Sequence, residues 1–251
     1  MTARPEKTEA TQVYREDLAY IHSLAFSEFA ERSAPGLLEI LRETGVVSGR
    51  VVDLGCGGGE WAGALCRAGY RVLGVDISSA MIRRARRKAP QARFMRASIC
   101  AIELPPCNAV TIICGGFNQA FTEKPSKTRL RFFRAAYRAL APGGVLVFDV
   151  AEPGFAHAEG RGTTLCHGED WCCIIRDEED EERKVLTRRM LTFRKMGKYY
   201  RRSEEIHRVR LYESSLIANE LRRAGFKVRV LRGYGAFRFP GAQSGFRARK
   251  P

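Results

Sequence analysis

The sequence lacks several features that would place the protein outside the class of ordinary globular enzymes. None of its apolar runs is long enough to cross a membrane, and its polar start, MTARPEK, lacks the apolar segment of a secretory signal. Its eight cysteines include no C-x-x-C pair and mostly lie in apolar runs, which is typical of reduced thiols and not of disulfides or zinc ligands. We therefore expect a cytoplasmic protein with no metal site and no membrane association.

The sequence also has fewer acidic than basic residues. The 251 residues include 43 lysines and arginines against 28 acids, for a net charge of +15. Residues 1–150 carry +7 and residues 151–251 carry +8, so the excess is spread evenly and forms no basic tail. An arginine-rich solvated surface explains this pattern most simply, although it favours anionic partners through long-range attraction. We expect no specific nucleic-acid partner, and any such binding should be weak, independent of sequence and sensitive to salt.

Glycine, in contrast, is concentrated at one informative place. The apolar run Val51–Leu54 leads into Gly55, Gly57, Gly58 and Gly59, and a helical pattern follows. The dinucleotide-binding pattern G-x-G-x-x-G would require a third glycine at position 60, where the chain has Glu60. A second apolar run ends at Asp76, and an acid at the end of a second parallel strand is placed to accept hydrogen bonds from both hydroxyls of a ribose.

The pattern Asp-x-Gly-x-Gly-x-Gly from Asp53 to Gly59 resembles the first motif of class I S-adenosylmethionine-dependent methyltransferases. Residues 140–144, LAPGG, are similar to the family's turn before its fifth strand, whereas Ser98 and Asn108 stand where acids are common. The resemblance implies S-adenosylmethionine as cofactor and S-adenosylhomocysteine as product. It places Asp53 and Gly55 at the methionine, Asp76 at the ribose and Ser98 at the adenine. The complete set of expected cofactor-binding residues is Tyr14, Asp53, Gly55, Cys56, Gly57, Gly59, Asp76, Ile77, Met81, Ser98, Ile99, Cys114 and Gly115.

The alternation of apolar strands with amphipathic helices predicts an α/β fold around a parallel sheet. Two helices, 16–32 and 36–43, should form an N-terminal cap. Five strands are predicted at 50–54, 72–75, 93–97, 109–114 and 145–150, with helices at 61–68, after Ser78 or Ser79, and at 126–140. After Gly154 the periodicity changes to that of antiparallel strands, at 171–175, 185–193 and 199–209. The acidic run 177–182 between them is interpreted as a solvated hairpin tip.

A helix at 214–224 and strands at 226–231 and 244–248 complete the pattern, and the resemblance implies that these last two strands form a hairpin. The predicted fold is a doubly wound, seven-stranded, mostly parallel sheet whose last strand is antiparallel, with a helical cap and an inserted antiparallel β region. The expected divisions are a cap at 1–45, a cofactor-binding core at 46–154, an inserted roof at 155–211 and a return to the core at 212–251.

The methyl acceptor is less clearly indicated. Residues 114–119 should lie beside the methyl group, but they lack the Asp/Asn-Pro-Pro-aromatic motif of enzymes that methylate adenine or glutamine amino groups, and no paired catalytic cysteines of the RNA-cytosine type occur. His22, His207 and Tyr20 are the candidate catalytic residues, because a base must take the proton of the acceptor. The candidate acceptor-binding residues are Asp17, Phe117, Asn118, Arg210 and Tyr212.

Each of these candidates has a structural alternative. Phe117 is equally well explained as core, the cap tyrosines as packing residues, and His22 as a surface or core residue. In strand 199–209, alternation places Ser203, Glu205, His207 and Val209 on one face, and the other face carries Arg202, Glu204, Ile206, Arg208 and Arg210. A group of His207, Arg210 and Tyr212 would suit an anionic acceptor, whereas an exposed sheet face is the other interpretation.

Three functions remain open. The favoured one is methyl transfer to a nitrogen or oxygen of a small-molecule acceptor, enclosed by the cap (14–22) and the insertion (171–209). A methyltransferase acting on RNA or another macromolecule through the basic surface is the alternative. A cofactor-binding protein without transferase activity is the third.

Overall fold

The computed structural model describes residues 13–122, 124, 126–158 and 162–251. Its helices are α1 (Glu16–Ala25), α2 (Glu28–Glu43), α3 (Glu60–Arg67), α4 (Ser79–Lys88), α5 (Gly116–Ala120), α6 (Ser126–Ala139) and α7 (Ser214–Arg223). Its strands are β1 (Arg50–Leu54), β2 (Arg71–Asp76), β3 (Arg93–Arg96), β4 (Cys107–Ile112), β5 (Leu140–Ala151), β6 (Thr163–His167), β7 (Trp171–Asp180), β8 (Val185–Met196), β9 (Tyr199–Arg210), β10 (Lys227–Leu231), β11 (Gly233–Tyr234), β12 (Phe237–Arg238) and β13 (Gln243–Arg249). Within these residues no helix has the length and apolar character needed to cross a membrane.

The central sheet has seven strands in the order β10-β13-β5-β4-β1-β2-β3. The neighbours from β5 to β3 pair in parallel, and β13 is antiparallel to both β5 and β10. The continuous apolar runs of β1 and β5 are buried because helices cover both faces of such a sheet. This confirms the predicted mostly parallel sheet with an antiparallel last strand.

Two hydrophobic cores lie on the two faces of this sheet. Phe133, Phe148 and Phe246 belong to the core under α5, α6 and α7. Leu37 and Trp61 belong to the core on the other face, under α2 and α3. Because both faces are covered, the edge at which β1, β2 and β4 end is the part of the sheet left open for a ligand.

The N-terminal helices differ from the prediction at their boundaries. The first helix ends at Ala25, and α2 begins at Glu28 and continues through Pro35 and Gly36, where a new helix was expected. A Cβ at Gly36 would lie 2.1 Å from the carbonyl oxygen of Tyr234, so the glycine permits a close approach of helix and hairpin. The helix survives Pro35 because tertiary packing overrides local propensity.

The inserted region forms a separate antiparallel sheet in the order β6-β7-β8-β9. The acidic run does reach the tip of a hairpin, since residues 181–184 form the mostly exposed turn between β7 and β8, but β7 extends to Asp180 and two of its acids have structural partners. Asp177 accepts two hydrogen bonds from Arg188, at 2.8 and 2.7 Å. Glu179 accepts the backbone N–H groups of Gly154 and Ala156, at 2.7 and 3.0 Å. These long-range partners leave no trace in the local sequence pattern.

The closing strands also differ in one respect from the hairpin that was expected. β10 and β13 pair along five residues, from Lys227 with Arg249 to Leu231 with Gly245. A small hairpin, β11 and β12, intervenes between them and returns the chain to the start of β13. The final pair is therefore adjacent in the sheet without being joined by a tight turn.

Candidate cofactor and acceptor site

The glycine-rich turn after β1 is held against the end of β2. The N–H groups of Gly55 and Cys56 both donate to the carbonyl of Val75, at 2.7 and 3.0 Å. Gly57 has a φ of 51° and no atom within 4 Å of the position that a Cβ would take. The turn thus leaves open space beside backbone that only glycine adopts easily.

Asp76 is fixed at the end of β2 by backbone donors. One carboxylate oxygen accepts the N–H of Gly57 at 3.0 Å, and the other accepts the N–H of Ser78 at 2.8 Å. Burial raises the pKa of Asp76 above its usual value, and these N–H donors oppose that effect. Each carboxylate oxygen has a second lone pair, so the oriented carboxylate can still accept two hydroxyl donors.

Asp53 is a buried acid with one free oxygen. Its Oδ1 accepts the hydroxyl of Thr111 at 3.0 Å, and that hydroxyl accepts the indole N–H of Trp61 at 3.1 Å. Its Oδ2 is buried and has no hydrogen-bond partner within the described residues. Burial raises the pKa of Asp53 to about 7. A buried, unpartnered acceptor of this kind suits a cationic donor supplied by a ligand.

These groups open into one cavity of about 360 Å³. Asp53, Glu60 and Asp76 line it, together with apolar side chains such as Ile77 and Ile99. Three carboxylates and an apolar side fit a molecule that combines an ammonium, a sulfonium, a ribose and a flat base. The residues therefore fit S-adenosylmethionine by their own chemistry.

Comparison with known proteins agrees with this fit. Residues 51–144 match the model of a methyltransferase domain. A putative methyltransferase of Geobacillus sp. (strain WCH70) is 30% identical over 189 residues, which cover 71% of this chain and 74% of the relative. The chain belongs to the S-adenosylmethionine-dependent methyltransferases of class I.

Two further proteins resemble this methyltransferase. A trans-aconitate 2-methyltransferase of Paracidovorax citrulli is 33% identical over 124 residues, which cover 49% of this chain and 46% of that protein. The crystal structure of the sugar N-methyltransferase KedS8 from Streptoalloteichus sp. superimposes with a TM-score of 0.77 at 19% identity, with complete coverage of both chains. The structural similarity is evidence for the shared fold.

The structure brings most of the predicted cofactor-binding residues of the methyltransferase to the cavity wall. Those that line it are Tyr14, Asp53, Gly55, Cys56, Gly57, Asp76, Ile77, Met81, Ser98, Ile99 and Cys114. Gly59 and Gly115 are not among the lining residues. A Cβ at Gly59 would lie 2.8 Å from the Cα of Ala85, so this glycine allows α3 and α4 to approach each other. Gly115 donates its N–H to Asp149 at 2.8 Å and has a φ of 70°.

Several lining residues were missed by sequence reasoning. Glu60 follows the glycine turn, where it had been noted only as a departure from the dinucleotide pattern. Phe26, Ser27 and Ala30 reach the cavity from the junction between α1 and α2 and from the start of α2, and Gln119 and Lys124 reach it from the far side. The position of Glu60 next to the motif was a usable signal. The other residues reach the cavity only because of tertiary packing.

Tyr14 connects the cap to both the cofactor turn and the inserted sheet. Its N–H donates to Oε2 of Glu205 at 2.7 Å, and the N–H of Arg15 donates to Oε1 at 2.8 Å. Its carbonyl accepts the hydroxyl of Ser78 at 2.7 Å, two residues beyond Asp76. The φ of Tyr14 is 52°, a backbone conformation that this network must hold in place.

The ring of Tyr14 lies between two histidines. Its centroid is 5.3 Å from that of His22 and 5.0 Å from that of His207, both in edge-on contacts. His22 lines the cavity, its Nδ1 has no partner within the described residues, and removal of its ring from water lowers its pKa to about 4. His207 instead contacts Glu205 through Nε2, at 2.9 Å, and does not line the cavity.

Asp17 and Tyr20, two residues of the cap that were predicted for the site, instead attach the cap to the inserted region. Asp17 is buried and forms ion pairs with Arg201 and Arg194 of the inserted sheet. Tyr20 donates its hydroxyl to Asp170 at 2.8 Å, and the guanidinium of Arg194 lies 3.9 Å from its ring centroid. Both side chains are therefore engaged in holding α1 against the insertion, and neither lines the cavity.

The other acceptor-binding candidates are placed in the core or on the outer surface. Phe117 is fully buried, and the amide of Asn118 exchanges two hydrogen bonds with the backbone of Ala151, each at 2.9 Å. Tyr212 is buried and donates to the carbonyl of Phe121 at 2.8 Å. Arg210 is exposed on the face of β9 opposite His207. The expected group of His207, Arg210 and Tyr212 does not form.

The inserted sheet has a different relation to the cavity from the one predicted. The alternation expected along β9 is confirmed, since Glu205 and His207 are buried while Glu204 and Arg208 are exposed. Among the described residues, however, the cavity lining includes none from β6 to β9. The insertion lies behind the cap and holds it, and of these two regions it is the cap that contacts the cavity.

Proposed function

We propose that this methyltransferase transfers the methyl group of S-adenosylmethionine to a nitrogen or oxygen of a small molecule bound beneath α1. The observation that carries the proposal is the closure of the cofactor cavity by the cap, through Tyr14, His22 and Phe26. Its volume of about 360 Å³ lies near the lower end of the range of roughly 300–1,000 Å³ for small-molecule sites. A cavity of this size, shared with the cofactor, favours a compact acceptor.

The proposed cofactor contacts follow from the chemistry of each wall. Asp76, oriented by Gly57 and Ser78, is assigned to the ribose hydroxyls. Asp53, with its unpartnered oxygen, is assigned to the ammonium of the methionine part. Ile77 and Ile99 are assigned to the faces of the adenine. S-adenosylmethionine supplies a methyl group on a sulfonium carbon, and the protein must align the acceptor with that carbon and take its proton.

His22 is the proposed base. A pKa of about 4 keeps its imidazole neutral near neutral pH, so its Nδ1, which has no hydrogen-bond partner within the described residues, can accept a proton or a hydrogen bond. Tyr14 beside it remains protonated, because burial raises its pKa to about 12, and it is therefore assigned to orientation. His207 lies behind Tyr14, and Tyr20 is engaged with Asp170, so both are weaker candidates than His22.

The charges of the cavity indicate the kind of acceptor. Among its described lining residues Lys124 is the only fixed cation, and no arginine is present. Recognition of a di- or tricarboxylate normally uses the paired donors of arginine. An amine or a neutral hydroxyl compound therefore suits this cavity better than a polycarboxylate. The names of the sugar N-methyltransferase and of the trans-aconitate methyltransferase both describe small acceptors. The charges of this cavity favour an acceptor like that of the sugar N-methyltransferase over a polycarboxylate.

The proposal is tested by following labelled methyl groups into a fractionated cell extract. With methyl-labelled S-adenosylmethionine, the wild-type protein should label compounds in the low-molecular-weight fraction. His22→Phe should lower this rate by about a hundredfold or more, the size typical of losing a general base, while S-adenosylhomocysteine affinity stays unchanged.

His157→Phe is the matched control, because this histidine lies outside the cavity lining, and it should keep the wild-type rate. Label that enters only the RNA or protein fractions would favour a macromolecular acceptor. A His22→Phe protein with full activity would reject the assignment of the base.

A further inference from the structure

A second concave feature lies on the sheet beyond the end of α2. Lys227 faces Arg249, and Arg229 faces Arg247, as directly opposed pairs of β10 and β13. Since Val228 packs in the core under α6 and α7, the alternation of the strand places these four cations on the other face of the sheet. They form two adjacent rungs of like charge, which we call the basic ladder.

The basic ladder is poorly neutralised. Arg247 donates to Glu43 at 2.8 Å. Within the described residues, the side chains of Lys227, Arg229 and Arg249 form no hydrogen bond or ion pair, and all three residues are exposed. Like charges directly opposite each other on a sheet are destabilising. An arrangement that costs stability in the free protein is explained if an anion binds there.

The ladder forms one wall of a groove. Glu43, Thr44 and Gly45 at the end of α2 form the other wall, and the space between them measures about 480 Å³. Opposed side chains of the ladder start about 5 Å apart, and successive ones along a strand start about 7 Å apart. Four donors within such a distance can surround a compact anion that carries several charged oxygens.

The groove is separate from the methyl-transfer site. Arg249 pairs with Val145, Val145 with Ala109 and Ala109 with Val51, which places the ladder at the edge where the parallel strands begin. The cofactor turn and Asp76 lie at the opposite edge, where those strands end. Of the residues that the structure describes, none lines both cavities.

We propose that this groove binds a compact anion with two or more linked phosphate groups, such as the di- or triphosphate part of a small molecule. Three arginines and a lysine provide the forked and single donors that phosphate oxygens accept. A nucleic-acid strand would require a longer basic track, whereas these cations are gathered in one groove with a carboxylate, Glu43, at its rim.

The test is a calorimetric titration of the whole protein with inorganic triphosphate at physiological ionic strength. Lys227→Gln/Arg229→Gln should weaken binding by about tenfold or more, because two charge-assisted contacts are lost. Arg87→Gln/Arg208→Gln removes the same net charge from exposed positions outside the groove and should bind as the wild type does. Titration with S-adenosylhomocysteine should give the same affinity for all three proteins, which separates this proposal from the proposed methyl-transfer function.

Three results would overturn the proposal. Triphosphate that fails to bind the wild type would show that the ladder has no such ligand. An equal loss in both double variants would show a general effect of net charge. A single-stranded RNA that binds through the ladder more tightly than triphosphate does would assign the groove to a nucleic-acid backbone.

Discussion

At the scale of single residues, Asp53 is the side chain whose placement is hardest to explain by folding alone. Its folded-state pKa of about 7 lies above the usual value of 3.8, because burial disfavours the charged form. Such a group contributes most stability below its unfolded pKa, and this contribution is lost as pH rises through the folded pKa near 7. A carboxylate that weakens the fold at neutral pH, and keeps one oxygen unpartnered, is most simply retained for a ligand.

Asp53 should therefore give cofactor binding a pH dependence. An ammonium placed beside the carboxylate lowers its pKa, so binding releases a proton and becomes tighter as pH rises. Between about pH 6 and pH 8 the affinity for S-adenosylhomocysteine should increase by roughly five- to tenfold, and in Asp53→Asn this increase should disappear. Calorimetry in buffers of different ionisation enthalpy would measure both affinity and proton release. The same pH profile in both proteins would assign the titration to another group.

The residues of the glycine turn and Asp76 could be predicted because strand, turn and acid are close in sequence and each has its own local pattern. The roles of Asp17, Tyr20 and Asn118 could not be predicted from the sequence. Their partners are Arg201, Asp170 and the backbone of Ala151, which are 33 to 184 residues away. Residue type and helical position are the same for a ligand-binding aspartate and for one that pairs with a distant arginine.

At the scale of elements, the important contact is between β9 and the start of α1. Glu205 accepts the N–H groups of Tyr14 and Arg15 and also contacts His207. Tyr14 in turn accepts from Ser78, whose N–H holds Asp76. Glu205 of the inserted sheet is thus linked through Tyr14 and Ser78 to Asp76, the residue assigned to the ribose, although the sheet does not line the cavity.

Glu205→Ala should consequently weaken cofactor binding from outside the cavity. Loss of two hydrogen bonds to a charged acceptor releases Tyr14, and we expect about a tenfold loss of S-adenosylhomocysteine affinity, with a smaller loss in Glu205→Gln. The neighbouring Glu204 is exposed and is the matched control, so Glu204→Ala should keep wild-type affinity. Thermal unfolding of each variant would separate a loosened cap from general destabilisation. Equal affinities for Glu205→Ala and the wild type would show that the contact has no influence on the site.

The elements themselves were predictable to different degrees. The alternating core was recovered because buried parallel strands and amphipathic helices differ in period. The continuous helix through Pro35 and Gly36 was not predicted, since the close approach to Tyr234 that explains Gly36 is a tertiary contact. The extent of β7 was missed because its acids interrupt the apolar alternation. Asp177 is accommodated by Arg188, and Glu179 by the backbone near Gly154.

At the scale of the whole molecule, the distribution of charge matters more than its sum. The chain carries +15 overall, yet the described residues that line the proposed cofactor cavity include three carboxylates and one lysine. A cationic cofactor therefore meets a negative interior within a positive protein. At the other edge of the sheet, the one acidic partner of the basic ladder within the described part of the chain is Glu43. Composition predicted neither arrangement, because both depend on which residues the fold brings together.

The cofactor site is tested most directly by a calorimetric titration of the wild type and Asp76→Ala with S-adenosylhomocysteine, and of the wild type with NAD. The wild type should bind one S-adenosylhomocysteine and prefer it to NAD. Asp76→Ala should lose about 2–3 kcal/mol of binding free energy, because two hydrogen bonds to a charged acceptor are lost and each is taken at about 1.5 kcal/mol or somewhat less, at the low end for such bonds. Unchanged affinity in the variant would contradict the assignment of Asp76 to the ribose, and preferential binding of NAD would contradict the assignment of S-adenosylmethionine as the cofactor.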